Sequence, residues 1–244
     1  MIIKLKKDIL LNKFLTPITK VAEKCVISIY PNSIQSLVTT QDSNPILYAK
    51  INTESDIGSE KEITLNLPNV NKLTRMLNCI PSEEIELTVN SNNIEYKSLN
   101  MNFKYHLLED GVIEKTPVNP DKIAAIKYDS DFIIERGRSS DIMKGTTFAT
   151  DSSKLYFYMK DKKVYAELTD KEIANTDSVS YFITDVFSGE EIKKPLLINL
   201  EIFKMFYGIS GNIITKINTK NGIILFKFED TDYTLQYIVS TQVK

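Results

Sequence analysis

The amino-acid sequence predicts an α+β fold: two similar strand-rich units, antiparallel sheets outside, and a few short helices on one face. Three observations lead there. The order strand, short helix, hairpin strands, short apolar helix, paired strands is read once over Met1 to about Asp110 and again over Ile123 to Lys244. Alternation of apolar and polar residues dominates both halves, the period-two signature of strands with one buried face. Residues suited to helix starts are few, and the patterns behind them are short.

The first unit is justified element by element. Ile3-Lys4-Leu5 reads as a strand. Asp8-Ile9-Leu10-Leu11-Asn12-Lys13-Phe14-Leu15 reads as a helix opened by Asp8 and ended near Thr16 by Pro17. Val21 to Tyr30 and Ser33 to Thr40 form an expected hairpin around Pro31-Asn32. Leu65-Asn66-Leu67 is a strand that feeds a helix from Asn69 through Lys72, Arg75 and Leu77. Glu84 to Val89 and Asn93 to Tyr96 alternate apolar and charged side chains about the turn Ser91-Asn92-Asn93.

The second unit is expected to repeat this order. Ile126-Lys127-Tyr128 echoes the first strand, and Asp131-Phe132-Ile133-Ile134-Glu135-Arg136 echoes the first helix, with Asp131 at its start. Ile198-Asn199-Leu200 leads into a helix through Lys204, with Glu201 near its start and Gly208 to Gly211 as its stop. Ile213 to Lys216 and Ile223 to Phe228 flank Lys220-Asn221-Gly222, a strong two-residue hairpin signal. Tyr233 to Val239 adds a further strand. The expected boundaries are 1–110 for the first unit, 111–122 for an extended connector carrying Gly111, Pro117 and Pro120, and 123–244 for the second.

Bulk properties exclude several classes. Hydrophobic residues make up 42% of the 244 and charged residues 25%, the balance of a globular chain rather than a disordered one. No apolar run approaches the roughly 18 residues of a membrane span, and Met1-Ile2-Ile3-Lys4 opens directly into alternation. An intracellular, cytoplasmic protein without membrane contact is expected. Cys25 and Cys79 stand among apolar neighbours and read as buried free thiols. A net charge of −2 argues against a protein coated in positive charge, but leaves room for a local basic stripe.

Catalysis finds no support in the residues. His106, the one histidine, lies in the strand-like Phe103-Lys104-Tyr105-His106-Leu107 and reads as structural or surface. There is no CxxC, HExxH or phosphate-binding glycine loop, so neither a metal nor a cofactor is expected. Gly208-Ile209-Ser210-Gly211 is a helix stop, and Glu83-Glu84 and Glu190-Glu191 read as solvated charge.

The helix charges are more informative. Asp8, Asp131 and Glu201 are explained locally by the helix dipole. The remaining charges inside the helices are basic apart from Glu135 and Asp141, leaving Lys13, Lys72, Arg75, Arg136, Arg138 and Lys204 as candidate phosphate-facing cations at matched places in both copies. The pattern holds no interleaved surface aromatics of the single-strand-binding kind and no recognition helix. Contact with DNA is therefore expected to be weak, to the backbone, and blind to sequence.

The duplicated order, together with Asn66-Leu67-Pro68-Asn69-Val70-Asn71-Lys72-Leu73-Thr74-Arg75-Met76-Leu77, resembles the sliding DNA clamps of the proliferating-cell nuclear antigen and bacteriophage type. Asp8 to Leu15 is similar to that family's first helix, with Lys13 at a DNA-facing position, and Tyr233 to Ser240 is similar to its closing strand. In length the phage version is the nearer likeness.

The resemblance implies a homotrimeric head-to-tail ring around duplex DNA, with a DNA polymerase and a clamp loader as partners. It implies pairing between subunits through edge strands, here Asn102 to Leu108 and Ser178 to Thr184. It also implies an apolar pocket for partner tails near the connector and last strand, for which Pro45, Ile46, Val112, Ile113, Ile238 and Val239 are the candidates. Pro17, Glu135 and Gly137 depart from the family's basic helix faces. The alternative is a duplicated β-rich structural or interaction protein, such as a viral assembly component, that does not bind DNA.

Overall fold

A computed structural model describes residues 1–244 except 54–61, 115–122, 124, 151, 174 and 244. The chain separates into two compact units, Met1–Asn119 with Glu229–Gln236, and Pro120–Phe228 with Tyr237–Lys244. The part of the expected connector at 115–122 lies outside the described residues.

The first unit runs β1 (Ile2–Lys6), α1 (Ile9–Leu15), α2 (Thr16–Thr19), β2 (Cys25–Tyr30), β3 (Ser33–Thr39), β4 (Ile46–Asn52), β5 (Ile63–Leu67), α3 (Val70–Asn78), β6 (Glu84–Val89), β7 (Asn93–Lys97) and β8 (Asn102–His106). One antiparallel sheet has the order β1-β6-β7-β8, and the strands β4-β3-β2-β5 lie side by side in another. Alternation decides which side chains go inside. Cys25, Ile27 and Ile29 of β2 and Leu47, Ala49 and Ile51 of β4 are buried, while the residues between them are half-exposed. Phe14, Leu15 and Ile18 from the helices meet this core with no more than 1% of their surface exposed.

Pro17 does not end the first helix. The stretch Ile9–Leu15 is wound as a π-helix and passes directly into α2, where Pro17 occupies the first turn. The path stays helical up to the proline, with Thr16 N donating to the Leu11 carbonyl five residues back, and Pro17 costs it one N–H. Asp8 stands before α1, but its carboxylate accepts from Asn12 Nδ2 at 2.6 Å rather than from a free backbone amide.

The second unit runs β9 (Ser130–Ile134), α4 (Arg136–Gly145), β10 (Lys154–Lys160), β11 (Lys163–Leu168), β12 (Val179–Thr184), β13 (Phe187–Gly189), β14 (Leu196–Asn199), α5 (Leu200–Lys204), β15 (Ile213–Asn218), β16 (Ile223–Glu229), β17 (Tyr233–Ser240) and β18 (Gln242–Val243). The residues of β17 are shared between the two units. Strand order repeats the first unit: β9-β15-β16-β17 parallels β1-β6-β7-β8, and β12-β11-β10-β14 parallels β4-β3-β2-β5. The duplication legible in the sequence is thus a duplication of topology.

The register of that repeat differs from the expected one. Asp131 to Ile134 is strand β9 rather than a helix, and Ile126 to Tyr128 forms no strand. Phe132 and Ile134 point into the core while Asp131 and Ile133 are exposed, a period of two that only a strand satisfies. Flanking strands fix it further, since Phe132 lies opposite both Phe187 of β13 and Thr215 of β15. The helix begins at Arg136, and its first N–H is taken up by Asn212 Oδ1 at 3.1 Å, a residue far along the chain. Behind α5 the core is aromatic: Phe206 lies 5.0 Å from Phe226, 5.4 Å from Phe228 and 4.8 Å from Tyr237, ring centre to ring centre.

Of the two cysteines only Cys25 is buried. Burial pushes its thiol up to about 12, against a partial pull downwards from the Ser36 hydroxyl. Cys79 is exposed, contrary to expectation, because it caps the C-terminus of α3 on the solvent side, where Sγ reaches the Arg75 carbonyl at 3.3 Å. Among the described residues no helix is long and apolar enough to cross a membrane, and no three candidate metal ligands cluster.

Candidate nucleic-acid interface

Helix α3 is the most completely specified of the cationic helices. Val70, Leu73 and Leu77, spaced three and four apart, form its buried stripe, so Lys72 and Arg75 fall on the exposed side. Asn69 caps the start: its Oδ1 accepts from Lys72 N at 2.7 Å, and its Nδ2 donates to Glu23 Oε1 at 2.8 Å. Val70 N donates to the Glu23 carbonyl at 2.8 Å. Tyr105 of β8 closes the arrangement from the other side, bonding both the N–H and the carbonyl of Asn69. The helix is therefore held at its N-terminus from two directions, and among the described residues neither Lys72 nor Arg75 has an ion-pair partner.

The other expected cations are each engaged or placed differently. Lys13 of α1 is half-buried, with Nζ 5.4 Å from the centre of the Tyr233 ring. Arg136 is the exposed first residue of α4, at the end where the dipole disfavours a cation. Arg138, further into that first turn, is half-buried and lies 5.5 Å over the Phe182 ring of β12. Lys204 ends α5 and pairs with Glu201 at 2.6 Å, while Glu201 N donates to Asn199 Oδ1 at 2.9 Å. An exposed pair of that kind contributes about 0–1 kcal/mol, so exchanging it for a phosphate costs little.

Sequence reasoning overlooked Lys144, in the last turn of α4, where the dipole favours it and Asp141 lies 3.6 Å away. It also overlooked Lys20, just past α2, whose ammonium pKa is lowered by partial burial. Spacing from Asp141 and proximity to a helix end would have flagged the first; nothing local signals the second.

The candidate partner-tail residues are distributed between the units. Pro45 is buried, Ile46 opens β4 half-exposed, Val112 is exposed and Ile113 half-exposed, all in the first unit. The chain reaches Val112 along β5, with Leu108 N donating to the Asn66 carbonyl at 2.9 Å and Asn66 Nδ2 to Asp110 Oδ1 at 2.7 Å. Ile238 and Val239 belong to the second unit and are buried, at 5% and 0% exposure. They are wall rather than accessible surface in the chain taken alone.

Among the described residues, both strands expected to pair between subunits lie at sheet edges. β8 ends the sheet β1-β6-β7-β8, and β12 ends the sheet β12-β11-β10-β14-β18. His106 is exposed on β8, and Glu83, Glu84, Glu190 and Glu191 are exposed, so these titratable groups do not gather into a buried site.

Neither protein-family models nor curated protein sequences match the chain. Solved structures do. The chain is similar over 100% of its length to 98% of a proliferating-cell nuclear antigen from A. fulgidus, solved with the C-terminal region of FEN-1 bound, at TM-score 0.80 and 15% identity. Over 99% of its length it is similar to 98% of the proliferating cellular nuclear antigen of Entamoeba histolytica, at TM-score 0.75 and 14% identity. It also matches a putative DNA polymerase III beta subunit from Eubacterium rectale at TM-score 0.71 and 11% identity, spanning 65% of that longer chain. At these identities the likeness is one of fold. The chain has the two-unit fold of the sliding DNA clamps.

Proposed function

We propose that the chain works as a DNA sliding clamp: three copies close head to tail through β8 and β12, encircle duplex DNA without sequence preference, and tether a replicative DNA polymerase. A clamp loader opens and places the ring, and the protein acts in the cytoplasm of its cell, or of the host cell if the source is a phage. It has no catalytic role. The ring and the tethering are supported by the fold shared with the solved clamps, and the DNA contact by the placement of the cations.

The observation that carries the reading is α3. Lys72 and Arg75 stand exposed on a helix capped by Asn69 and pinned by Tyr105, and no carboxylate among the described residues neutralises them. Two unpaired cations on a rigid helix give phosphate attraction without base reading, which suits a protein that must hold DNA and still slide. Lys13, Arg136, Arg138 and Lys204 add weaker, partly engaged charge. The relative solved with the C-terminal region of FEN-1 supports a tail-docking surface as well. For that surface Ile46, Val112 and Ile113 of the first unit are the accessible candidates, while Pro45, Ile238 and Val239 are buried.

The test is the double variant Lys72→Glu with Arg75→Glu, in primer extension with the DNA polymerase of the same source. Loss of the stimulation given by the parent protein, with the solution mass unchanged, is the expected result. Stimulation that survives charge reversal would remove α3 from the DNA-facing surface and favour an interaction protein that does not bind DNA.

A further inference from the structure

On the outer face of the sheet β12-β11-β10-β14-β18, three aromatic side chains meet that lie far apart in sequence. Tyr158 and Tyr165 are directly opposite in the β10–β11 register and stack at 5.5 Å with an interplanar angle of 16°. Phe182 of β12, opposite Tyr165, adds an edge contact at 6.0 Å. The Tyr158 hydroxyl spans β11 to reach Ser180 Oγ at 2.9 Å, which lays its ring across the sheet. All three aromatic side chains are half-exposed. The opposite face is covered by α4, whose Gly145 lies so close to Leu168 and Tyr181 that a Cβ there would clash with the Tyr181 hydroxyl. The sequence alone does not bring these rings together. The residues are interleaved by strand register, not by proximity along the chain.

Beside this platform the β10–β11 turn concentrates positive charge at a local cost. Lys160 and Lys163 are directly opposite partners on the same face as Tyr158 and Tyr165, a like-charge pairing that destabilises a hairpin. Between them Asp161 and Lys162 both adopt left-handed backbone, φ 51° and 59°, where the second position of such a turn favours glycine. Lys160, Lys162 and Lys163 are exposed, with Asp161 the only acid among the four turn residues. Lys171 lies over the Tyr156 ring at 4.6 Å and over Tyr158 at 5.9 Å, bringing a further cation to the other end of the platform, paired with Glu167 at 2.9 Å. Stacked rings bordered by lysines match an occupant with planar rings on an anionic backbone.

We propose that this face of the second unit is a binding site for single-stranded nucleic acid, distinct from the exposed cations of α3, with Arg138 of α4 at its Phe182 edge. Bases stack on Tyr158 and the neighbouring rings, and Lys160, Lys162 and Lys163 take successive phosphates. The charge complementarity and the half-exposed ring cluster favour this occupant over an acidic peptide, which would use the lysines and leave the rings idle.

The test is titration of the full-length protein with fluorescently labelled oligo(dT), read by anisotropy. The chain has no tryptophan, so tyrosine emission reports stacking in the same experiment. The expected results are saturable binding with tyrosine quenching and about tenfold weaker affinity for Tyr158→Leu. For Lys160→Ala/Lys162→Ala/Lys163→Ala, the log–log salt slope should flatten by about 0.7 for each phosphate no longer neutralised. Lys162→Gly should weaken binding while raising the thermal midpoint, because it relaxes the turn. That opposite movement separates a binding role from a structural one. No binding by the parent protein, or equal binding by the lysine triple variant, overturns the proposal. Equal competition by an abasic phosphodiester or by polyglutamate also overturns it and assigns the face to acidic partners. Retained oligo(dT) binding in Lys72→Glu/Arg75→Glu is expected, and its loss would place the single strand on the helices instead.

Discussion

Tyr105 and Asn69 exchange two hydrogen bonds: the Tyr105 hydroxyl accepts the Asn69 N–H at 3.0 Å and donates to the Asn69 carbonyl at 2.7 Å. One residue lies on the edge strand β8 and the other caps the helix bearing Lys72 and Arg75. The first unit thus couples its proposed subunit edge to its proposed DNA-facing helix through one buried phenol, 3% exposed. Burial raises the pKa of that phenol, while the backbone bond at Asn69 pulls the other way, so it remains a neutral donor at ordinary pH.

Tyr105→Phe keeps the ring and removes both bonds. The expected loss is about 1–2 kcal/mol in denaturant unfolding, because the Asn69 amide is left without its partner. An unchanged midpoint would show that water replaces the hydroxyl and that the coupling is energetically idle.

The two thiols should react very differently. At about pH 8, near the ordinary thiol range, a thiol reagent is expected to label Cys79 alone in the native protein, and both cysteines in denaturant. The Cys25 thiol has its folded pKa raised to about 12 from an ordinary value of 9.0. The folded state therefore holds that proton more tightly than the unfolded chain. The associated stability is complete below about pH 9 and is lost as pH rises towards 12. Rapid native labelling of Cys25 would contradict its burial on the inner face of β2, between β3 and β5.

For partner docking, Ile113→Ser is expected to weaken a polymerase tail peptide by about tenfold in calorimetry, in line with the loss of one apolar anchor. The substitution should leave unfolding within about 0.5 kcal/mol of the parent, since Ile113 is only half-buried. Undiminished affinity would take this residue off the docking surface.

Much of the architecture was legible because burial and local chemistry agree. At α3 the Asn69 cap, the stripe of Val70, Leu73 and Leu77 and the outward Lys72 and Arg75 all point to one helix in one orientation. At Asp131 they conflict. An acidic residue before Phe132-Ile133-Ile134 resembles a helix start, yet pairing with both β13 and β15 makes the segment a central strand. Tertiary pairing outweighed the local signal there. The cap that α4 does use, Asn212, is 76 residues from Arg136 and carries no local signature. The same limit hid the Tyr158, Tyr165 and Phe182 cluster, which exists only through strand register. Exposure at Lys72 followed from periodicity, whereas the ring beneath Arg138 and the burial of Ile238 and Val239 required the folded chain.

The central claim is that this chain closes into a ring, and its most direct test is the mass in solution, by light scattering behind a sizing column at several protein concentrations. A species near 84 kDa, about three times the 27.9 kDa chain, is the expected result for a closed cyclic trimer. A mass of one chain at every concentration would contradict it, since a lone copy has no ring with which to encircle DNA.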